Sequence, residues 1–180
     1  MIDTSSVAKK AELFAIKVWA CKSATATEFV QMVLVHNSMK NKLELRTLGH
    51  SQYGNLGQGV DIKTSTSFKQ VELPDGIEPR SPDDVAVGYD NTFMVANDGS
   101  LWGWGSYTID DKHQFKPVQV KYFENYDVLK IAGWQRTVAL VSPKDNPNKK
   151  VIVYGKCAPF VQEDSMKVFD IIQGLTVINI

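Results

Sequence analysis

The feature that most constrains the fold is a glycine that closes three strand-like runs along the chain. Gly49, Gly105 and Gly155 each follow an aromatic residue or a leucine, and they lie 56 and 50 residues apart. The runs before them are short and rich in residues that favour strands. Segments of this kind at a nearly fixed spacing indicate a structural repeat, and a repeat decides the architecture of the whole chain.

A second marker alternates with the first. Gly88 and Gly133 each end a run of mostly apolar residues, and a threonine follows four positions later, Thr92 in one copy and Thr137 in the other. A further copy ends at Gly174, close to the last residue of the sequence. Two markers that recur in the same order strengthen the prediction of a repeat.

The clearest repeat contains four short strand-like segments separated by turn residues. We predict strands at 101–105, 116–120, 128–134 and 137–142, which is the content of one β-propeller blade. Along 128–132, alternation predicts Val128 on one face and Ile131 on the other. The predicted fold class is therefore all-β, a partial β-propeller of three to four four-stranded antiparallel blades. We divide the chain into a lead-in at 1–11 and a repeat region at 12–180, with units at 12–44, 45–100, 101–150 and 151–180.

The N-terminal part is less well determined by its pattern. Residues 5–18 fit either an amphipathic helix or a lead-in followed by a strand, and the strand is favoured for 13–21. The segment Phe29–Val35 is short and contains three valines, which predicts a strand.

The densest glycine cluster follows the first strand–glycine pair. Between Tyr53 and Gly59 it holds Gly54, Leu56 and Gly57. Glycines this close together mark turns with positive φ. A phosphate-binding loop would need a following lysine and helix, which this segment lacks, so a tight turn is the favoured interpretation.

These motifs together resemble the repeat of the regulator of chromosome condensation family. The loop Tyr53–Gly59 is similar to the family's glycine-rich loop, with asparagine at position 55 where glutamine is usual. The segment 116–120 is similar to its proline strand, and Gly133 with 137–140 to its inner strand pair. The resemblance covers residues 12–180 and implies part of a seven-bladed propeller.

The sequence also departs from that family. Units three and four carry 106–111 and 156–159 where the glycine-rich loop is expected. Seven blades need about twice this length, so we expect either a piece of a longer chain or a ring completed by a second copy or another protein. The apolar run at 175–180 favours an edge that pairs.

Composition sets broad limits on the function. The 180 residues suffice for one domain with a core, and the formal net charge of zero gives no indication of nucleic acid or an acidic membrane surface. We expect Cys21 and Cys157 to be reduced packing residues, no membrane span, and an intracellular location in the cytoplasm or nucleus.

No catalytic constellation is recognisable in the sequence. His36, His50 and His113 lack metal-ligand spacing, so we expect no metal, no cofactor and no enzymatic activity. Asp110, Asp111 and His113 form the candidate interaction loop, because they lie where the glycine-rich loop of unit three is missing.

The leading hypothesis is a non-enzymatic protein-interaction or scaffold module whose partners include other proteins or the remaining blades. The family resemblance implies a second hypothesis, guanine-nucleotide exchange on a small Ran-type GTPase. A third is a regulatory propeller segment of a multidomain ubiquitin ligase.

Overall fold

The computed structural model describes residues 12–22, 28–88, 90–109, 112–133, 136–148, 151–156 and 167–170. These residues contain twelve strands and two short 3-10 helices, Pro82–Asp84 and Lys121–Phe123. None of the helices in the described ranges is long and apolar enough to cross a membrane. The strands are β1 Leu13–Lys22, β2 Phe29–Asn37, β3 Lys42–His50, β4 Thr64–Gln70, β5 Val85–Val87, β6 Asn91–Val95, β7 Leu101–Ile109, β8 Lys112–Gln119, β9 Tyr126–Gly133, β10 Arg136–Pro143, β11 Val151–Lys156 and β12 Lys167–Asp170.

The strands form three sheets, each a four-stranded antiparallel meander in chain order. Sheet 1 contains β1–β4, sheet 2 contains β5–β8, and sheet 3 contains β9–β12. Successive antiparallel four-stranded sheets are the blades of a propeller. The predicted fold class, a partial all-β propeller of three to four blades, is confirmed. The strand at residues 13–21 is confirmed as well, and residues 5–11 of the helical alternative lie outside the described residues.

The grouping of the predicted strands into one blade was wrong. The segments at 101–105 and 116–120 belong to sheet 2, whereas those at 128–134 and 137–142 begin sheet 3. The reason is that β7 pairs with β6, which itself pairs with β5, so the strands before residue 101 complete sheet 2. The sequence repeat and the sheet are therefore out of phase by two strands. The division of the chain into a lead-in at 1–11 and a repeat region at 12–180 stays a prediction.

The three marker glycines occupy equivalent places in the three sheets. Each lies on the third strand and pairs with the second: Gly49 opposite Val30, Gly105 opposite Asn91, and Gly155 opposite Thr137. Gly49 has a φ of 126° and Gly105 a φ of 103°. A Cβ at either position would overlap a backbone carbonyl oxygen of the second strand or of its approach. Glycine is therefore required at this position of the third strand in sheets 1 and 2.

Sheet 2 is buried on both faces, and the period-2 alternation of its strands sends neighbouring side chains to different cores. The first core lies between sheets 1 and 2 and includes Val85, Val87 and Met94 together with Met32 and Leu45. The second core lies between sheets 2 and 3. Its buried members are Ala86, Phe93, Val95, Leu101, Val120, Phe123, Val128, Ile131, Ala139 and Val141.

Strand β9 departs from the alternation that the sequence predicts. Val128 and Ile131 were assigned to opposite faces, yet both belong to the second core. The cause is a shift of register in the β9–β10 pair: Lys130 lies opposite Leu140, but Val128 lies opposite Val141. One extra residue, Leu129, is accommodated as a bulge, and a bulge exchanges the faces of the residues on either side of it.

Strand β1, at the edge of sheet 1, carries exposed apolar side chains. Trp19 packs toward the first core, and Val18 points the other way and is 64% exposed. Ile16, 46% exposed, is the extra residue of a bulge in the β1–β2 pair, so Phe14, 54% exposed, lies on the same face as Trp19. The edge strand therefore exposes apolar side chains on both faces.

Candidate protein-interaction site

The glycine-rich loop of sheet 1 lies directly on sheet 2. The N–H of Gly59 donates to the carbonyl oxygen of Phe115 at 2.9 Å. At Gly54, a Cβ would lie 2.5 Å from the carbonyl oxygen of Gln114, so the two backbones touch with no side chain between them. The loop thus follows β3 of one blade and contacts β8 of the next, and glycine at position 54 permits that approach.

Asn55 is the centre of this contact. Its side-chain oxygen accepts a hydrogen bond of 2.7 Å from the hydroxyl of Thr92 on β6. Its backbone oxygen accepts one of 3.2 Å from the indole nitrogen of Trp104 on β7, and its own N–H donates to Ser51 Oγ. Both sheets therefore meet at a residue that is 1% exposed. This is the position at which the sequence departs from the family's usual glutamine.

Hydrogen bonds to β3 fix the rest of the loop. The hydroxyl of Thr47 donates to the carbonyl oxygen of Leu56 at 2.7 Å, and the side-chain amide of Gln58 donates to the backbone oxygen of Thr47 at 2.9 Å. Leu56 is itself 1% exposed. A loop held by buried bonds on both sides presents its outer residues in one conformation, which lowers the entropy lost on binding a partner.

The candidate interaction loop is placed only in part. His113 lies on β8, and its ring contacts that of Tyr53 in the glycine-rich loop at a centroid distance of 4.8 Å. Asp110 and Asp111 lie outside the described residues. The prediction of a loop from residue 106 onward was wrong, because β7 continues to Ile109 and β8 begins at Lys112. The role of the three residues in binding stays a prediction.

The other repeat residues have structural positions. The N–H of Gly88 donates to the carbonyl oxygen of Asn91 at 2.7 Å and closes the β5–β6 hairpin. Gly133 ends β9 opposite Thr137. Gly174 lies outside the described residues.

The glycine-rich loop at 51–63 follows β3, the third strand of sheet 1, and we call the end of the molecule at which it lies the loop end. In an antiparallel meander the first residues of β2 lie at this same end. Among the described residues here, Phe29 and Val60 are exposed apolar side chains, at 48% and 60%.

A shallow depression opens at the loop end between sheets 1 and 2, with an empty space of about 160 Å³ including its open side. That figure includes open solvent, and the depression encloses no space that would admit a water molecule, so it is a surface crease and not a ligand pocket. Its lining residues are Cys21, Glu28, Phe29, Val30, His50, Ser51, Asn55 and Asp90.

The chemistry of this depression is polar and acidic. Glu28 is 3% exposed, and one of its oxygens accepts the N–H of Gln52 at 2.9 Å. Within the described ranges, its other oxygen, Oε2, and the side-chain nitrogen of Asn55 are buried without a hydrogen-bond partner. Burial raises the pKa of the Cys21 thiol, which therefore stays protonated and donates to the carbonyl oxygen of Val87 at 3.5 Å. A protonated thiol is a poor nucleophile and a poor metal ligand.

The seam between sheets 2 and 3 is held by a partly buried ion pair, in which the Asp84 side chain is 5% exposed and that of Arg80 34%. Arg80 meets Asp84 with two parallel bonds, Nε to Oδ2 at 2.9 Å and Nη2 to Oδ1 at 2.6 Å. The same guanidinium donates to the backbone oxygens of Val128 and Leu129 on β9. Burial alone would raise the pKa of Asp84, but the hydrogen bonds from Arg80 and Ser81 outweigh it and lower that pKa. One arginine thus joins the connector before sheet 2 to the first strand of sheet 3.

We expect Arg80→Gln to lower the free energy of unfolding by about 2 kcal/mol at neutral pH, because it leaves the buried Asp84 carboxylate and two carbonyl groups without their donor. Since the folded pKa of Asp84 is lowered, its contribution is present above the unfolded value and is lost as the pH falls through the folded pKa. The difference between wild type and variant should therefore shrink below about pH 4.

Urea denaturation at pH 7 and below pH 4 measures this difference. Lys116→Met is the control, because Lys116 forms an exposed pair with Glu72, with side chains 59% and 78% exposed. Such a pair contributes about 0–1 kcal/mol. Equal losses in the two variants, or a loss for Arg80→Gln that is independent of pH, would contradict the prediction.

Sequence reasoning missed the residues that join the sheets. Arg80 bonds to residues 48 and 49 positions later, and Thr92 to a residue 37 positions earlier. Asn55 and Thr92 stood out in the sequence, the first as an asparagine where the repeat usually has glutamine and the second as the threonine of the second marker. Local pattern nevertheless carries no signal for which residues pair across such distances.

Comparison with known proteins agrees with this architecture. No family model matches the sequence. The Ultraviolet-B receptor UVR8 of Arabidopsis thaliana is 29% identical over 106 residues, which are 53% of this chain and 22% of that protein. The chain thus spans about a fifth of the length of this relative.

Solved structures are similar over most of the chain. Human WBSCR16 superimposes with a TM-score of 0.55 and 16% identity, over 80% of this chain and 34% of its own. Prp20p of Saccharomyces cerevisiae, a protein with binding properties to Gsp1p and histones, superimposes with a TM-score of 0.52 and 10% identity, over 81% of this chain and 42% of its own. The chain therefore has the fold of part of a propeller like that of the regulator of chromosome condensation proteins, which confirms the resemblance predicted from sequence.

Proposed function

We propose that this chain is a non-enzymatic protein-interaction module, intracellular, whose loop end forms the contact surface. The observation that carries the proposal is the fixation of the glycine-rich loop on sheet 2 by Asn55, Trp104 and Gly59. A rigid loop with an exposed apolar residue, Val60, has the properties of a protein-binding surface.

The chemistry of the described residues supports a role without catalysis. In these ranges no three His, Cys, Asp or Glu side chains are grouped to hold a metal ion. The half-buried thiol of Cys21 is held protonated by its raised pKa. Binding through shape and fixed polar groups needs none of the proton-transfer or nucleophilic groups that an active site requires.

The exposed edge strand of sheet 1 supports a place in a larger assembly. Phe14, Ile16 and Val18 are exposed apolar side chains on β1, which pairs with β2 on one side only. At the two seams of this chain, apolar strand residues are covered by a neighbouring sheet. A further blade, from a longer chain or from a partner, is the cover that this geometry fits.

The test uses two matched substitutions at opposite ends of sheet 1. Val60 in the glycine-rich loop is 60% exposed, and Met39 in the β2–β3 turn is 61% exposed. Strand β3 separates the two turns, so they lie at opposite ends of that strand. Proteins retained by the immobilised chain should bind at least about tenfold less to Val60→Lys and equally well to Met39→Lys. Equal retention by the two variants, or no retention by wild type, argues against the proposal.

A second candidate is guanine-nucleotide exchange on a Ran-type GTPase. It is supported by the structural similarity to Prp20p, a protein with binding properties to Gsp1p. At 10% identity this similarity supports the fold and leaves exchange to be tested. The measurement is release of a fluorescent guanine nucleotide from a Ran-type GTPase. If micromolar concentrations of the chain do not accelerate this release, exchange activity is excluded. The third hypothesis, that the chain is a regulatory propeller segment of a multidomain ubiquitin ligase, stays a prediction that rests on the sequence resemblance.

A further inference from the structure

We infer that the turn at Asp75–Gly76 is a site of spontaneous covalent modification, at which Asp75 converts to an isoaspartyl residue. The turn lies in the connector between β4 and β5. The sequence contains two Asp–Gly pairs, Asp75–Gly76 and Asp98–Gly99, and glycine is the residue whose backbone nitrogen is least shielded. The two pairs lie in neighbouring turns, since Asn97 Nδ2 donates to the carbonyl oxygen of Gly76 at 3.0 Å.

The reaction is an intramolecular condensation that needs no oxidant, reductant or enzyme. The backbone nitrogen of Gly76 attacks Cγ of Asp75 and forms a carbon–nitrogen bond, while the hydroxyl of the protonated carboxyl group and the amide proton leave as water. The resulting succinimide ring is then hydrolysed at either carbonyl. Water that attacks Cγ restores aspartate, whereas water that attacks the main-chain carbonyl leaves the chain linked through the side chain, as isoaspartate.

The folded structure leaves both reacting groups of the first pair free. Asp75 and Gly76 are exposed. Among the described residues, neither the Asp75 carboxylate nor the Gly76 N–H takes part in a hydrogen bond. The turn is closed around them by the N–H of Ile77, which donates to the carbonyl oxygen of Pro74 at 3.0 Å. Neither reacting group therefore has to give up a hydrogen bond before the nitrogen approaches Cγ.

The second pair is held by three hydrogen bonds. Oδ1 of Asp98 accepts from the N–H of Ser100 at 2.9 Å and from the Ser100 hydroxyl. The N–H of Gly99 donates to the carbonyl oxygen of Ala96 at 2.9 Å. The hydrogen bonds from Ser100 also lower the pKa of Asp98, which keeps the carboxylate in the form that cannot lose a hydroxyl group. The same dipeptide is thus protected at one turn and unprotected at the other.

Modification at Asp75 would affect a connector that is bonded to both of the first two sheets. An isoaspartyl link lengthens the main chain by one carbon directly before Gly76, whose carbonyl oxygen accepts from Asn97 in the β6–β7 turn. The N–H of Asn97 donates to the carbonyl oxygen of Glu78 at 3.0 Å. The carboxylate of Glu78 in turn accepts the N–H of Leu43 on β3 at 2.8 Å. The change in spacing therefore reaches sheet 1 and sheet 2 alike.

The experiment incubates the folded chain for several weeks at physiological pH and temperature. Peptides from a digest are then labelled with an S-adenosylmethionine-dependent methyltransferase that accepts isoaspartate, and mass spectrometry locates the label. We expect isoaspartate to form at Asp75 at least about tenfold faster than at Asp98, because hydrogen bonds hold only the second pair. In guanidinium chloride neither turn is folded, so the two rates should approach each other.

Two matched variants identify the site. Asp75→Glu keeps the charge and the exposed position, but its longer side chain cannot close the succinimide ring, so most of the isoaspartate signal should disappear. Asp98→Glu is the control and should leave the signal unchanged. Hydroxylamine, which reacts with succinimides, should cleave the wild-type chain after Asp75 and leave Asp75→Glu intact there. The urea midpoint of each variant shows whether it is folded.

Equal rates at the two pairs in the folded chain would overturn the inference, and so would an undiminished signal in folded Asp75→Glu. A rate ratio that persists in guanidinium chloride would also overturn it, because the difference would then come from the neighbouring residues in sequence and not from the fold. None of these outcomes requires a partner protein, so they leave the proposed function to its own test.

Discussion

Replacing Gly105 with alanine is expected to lower the free energy of unfolding by about 3 kcal/mol or more. Gly105 has a φ of 103°, which alanine adopts only with strain. A Cβ would also overlap the carbonyl oxygen of Asp90 and lie 2.7 Å from Asn91 Cα, so the β6–β7 pair would have to separate locally. Urea denaturation measures the loss.

Two further variants make this result diagnostic. Gly49→Ala should cost a similar amount, because its Cβ would overlap the carbonyl oxygen of Phe29 at the equivalent place in sheet 1. Gly99→Ala is the control: its φ is 84°, but no atom lies within 4 Å of the added Cβ, so only the backbone strain of about 1–2 kcal/mol remains. If all three variants lost the same amount of unfolding free energy, the clash of the added Cβ with the neighbouring strand would contribute nothing. That result would contradict the prediction for Gly105 and Gly49.

Trp104→Ala is expected to cost about 3–5 kcal/mol, the range for removal of a large buried aromatic side chain. Trp104 is 0% exposed, belongs to the first core, and donates to the backbone oxygen of Asn55. Its loss leaves a cavity and an unpaired carbonyl beneath the glycine-rich loop. Besides the urea midpoint, hydrogen exchange at the Gly59 N–H, which bonds across the same seam, should become faster.

Trp102→Ala provides the comparison on the same strand. Trp102 is half-buried at the edge of that core and its indole donates to Ser100 Oγ two residues away, so its loss should cost about half as much or less. If both substitutions have the same effect, or if exchange at Gly59 is unchanged in Trp104→Ala, then Trp104 does not support the loop as proposed.

The sequence predicted the strands well because their signal is local. The strands that contain Val30, Val128 and Trp104 were identified from composition and turn residues, and the marker glycines from their spacing. Their assignment to sheets failed for a physical reason: the repeat is most visible at the glycine motif of β7, whereas the sheet begins two strands earlier at β5. Which strands pair depends on hydrogen bonds that no single repeat contains.

The candidate site could be predicted only where a motif contains it. The glycine-rich loop was identified as a turn, and Asn55 lies within it. Glu28 and Asp90 gave no signal, because one precedes β2 and the other precedes β6, and only the packing of two sheets brings them to one depression. The bulge at Leu129 could not be predicted from local pattern either. It reverses the alternation of faces that the sequence of β9 displays.

The contact of the loop of sheet 1 with the side of sheet 2 has a consequence for how the chain comes apart. Because Thr92 and Trp104 donate to Asn55, sheet 1 cannot separate from sheet 2 without breaking these two buried hydrogen bonds. We therefore expect the first two blades to unfold together as one cooperative unit. If the chain were cut between them, each fragment would lack contacts that the other supplies.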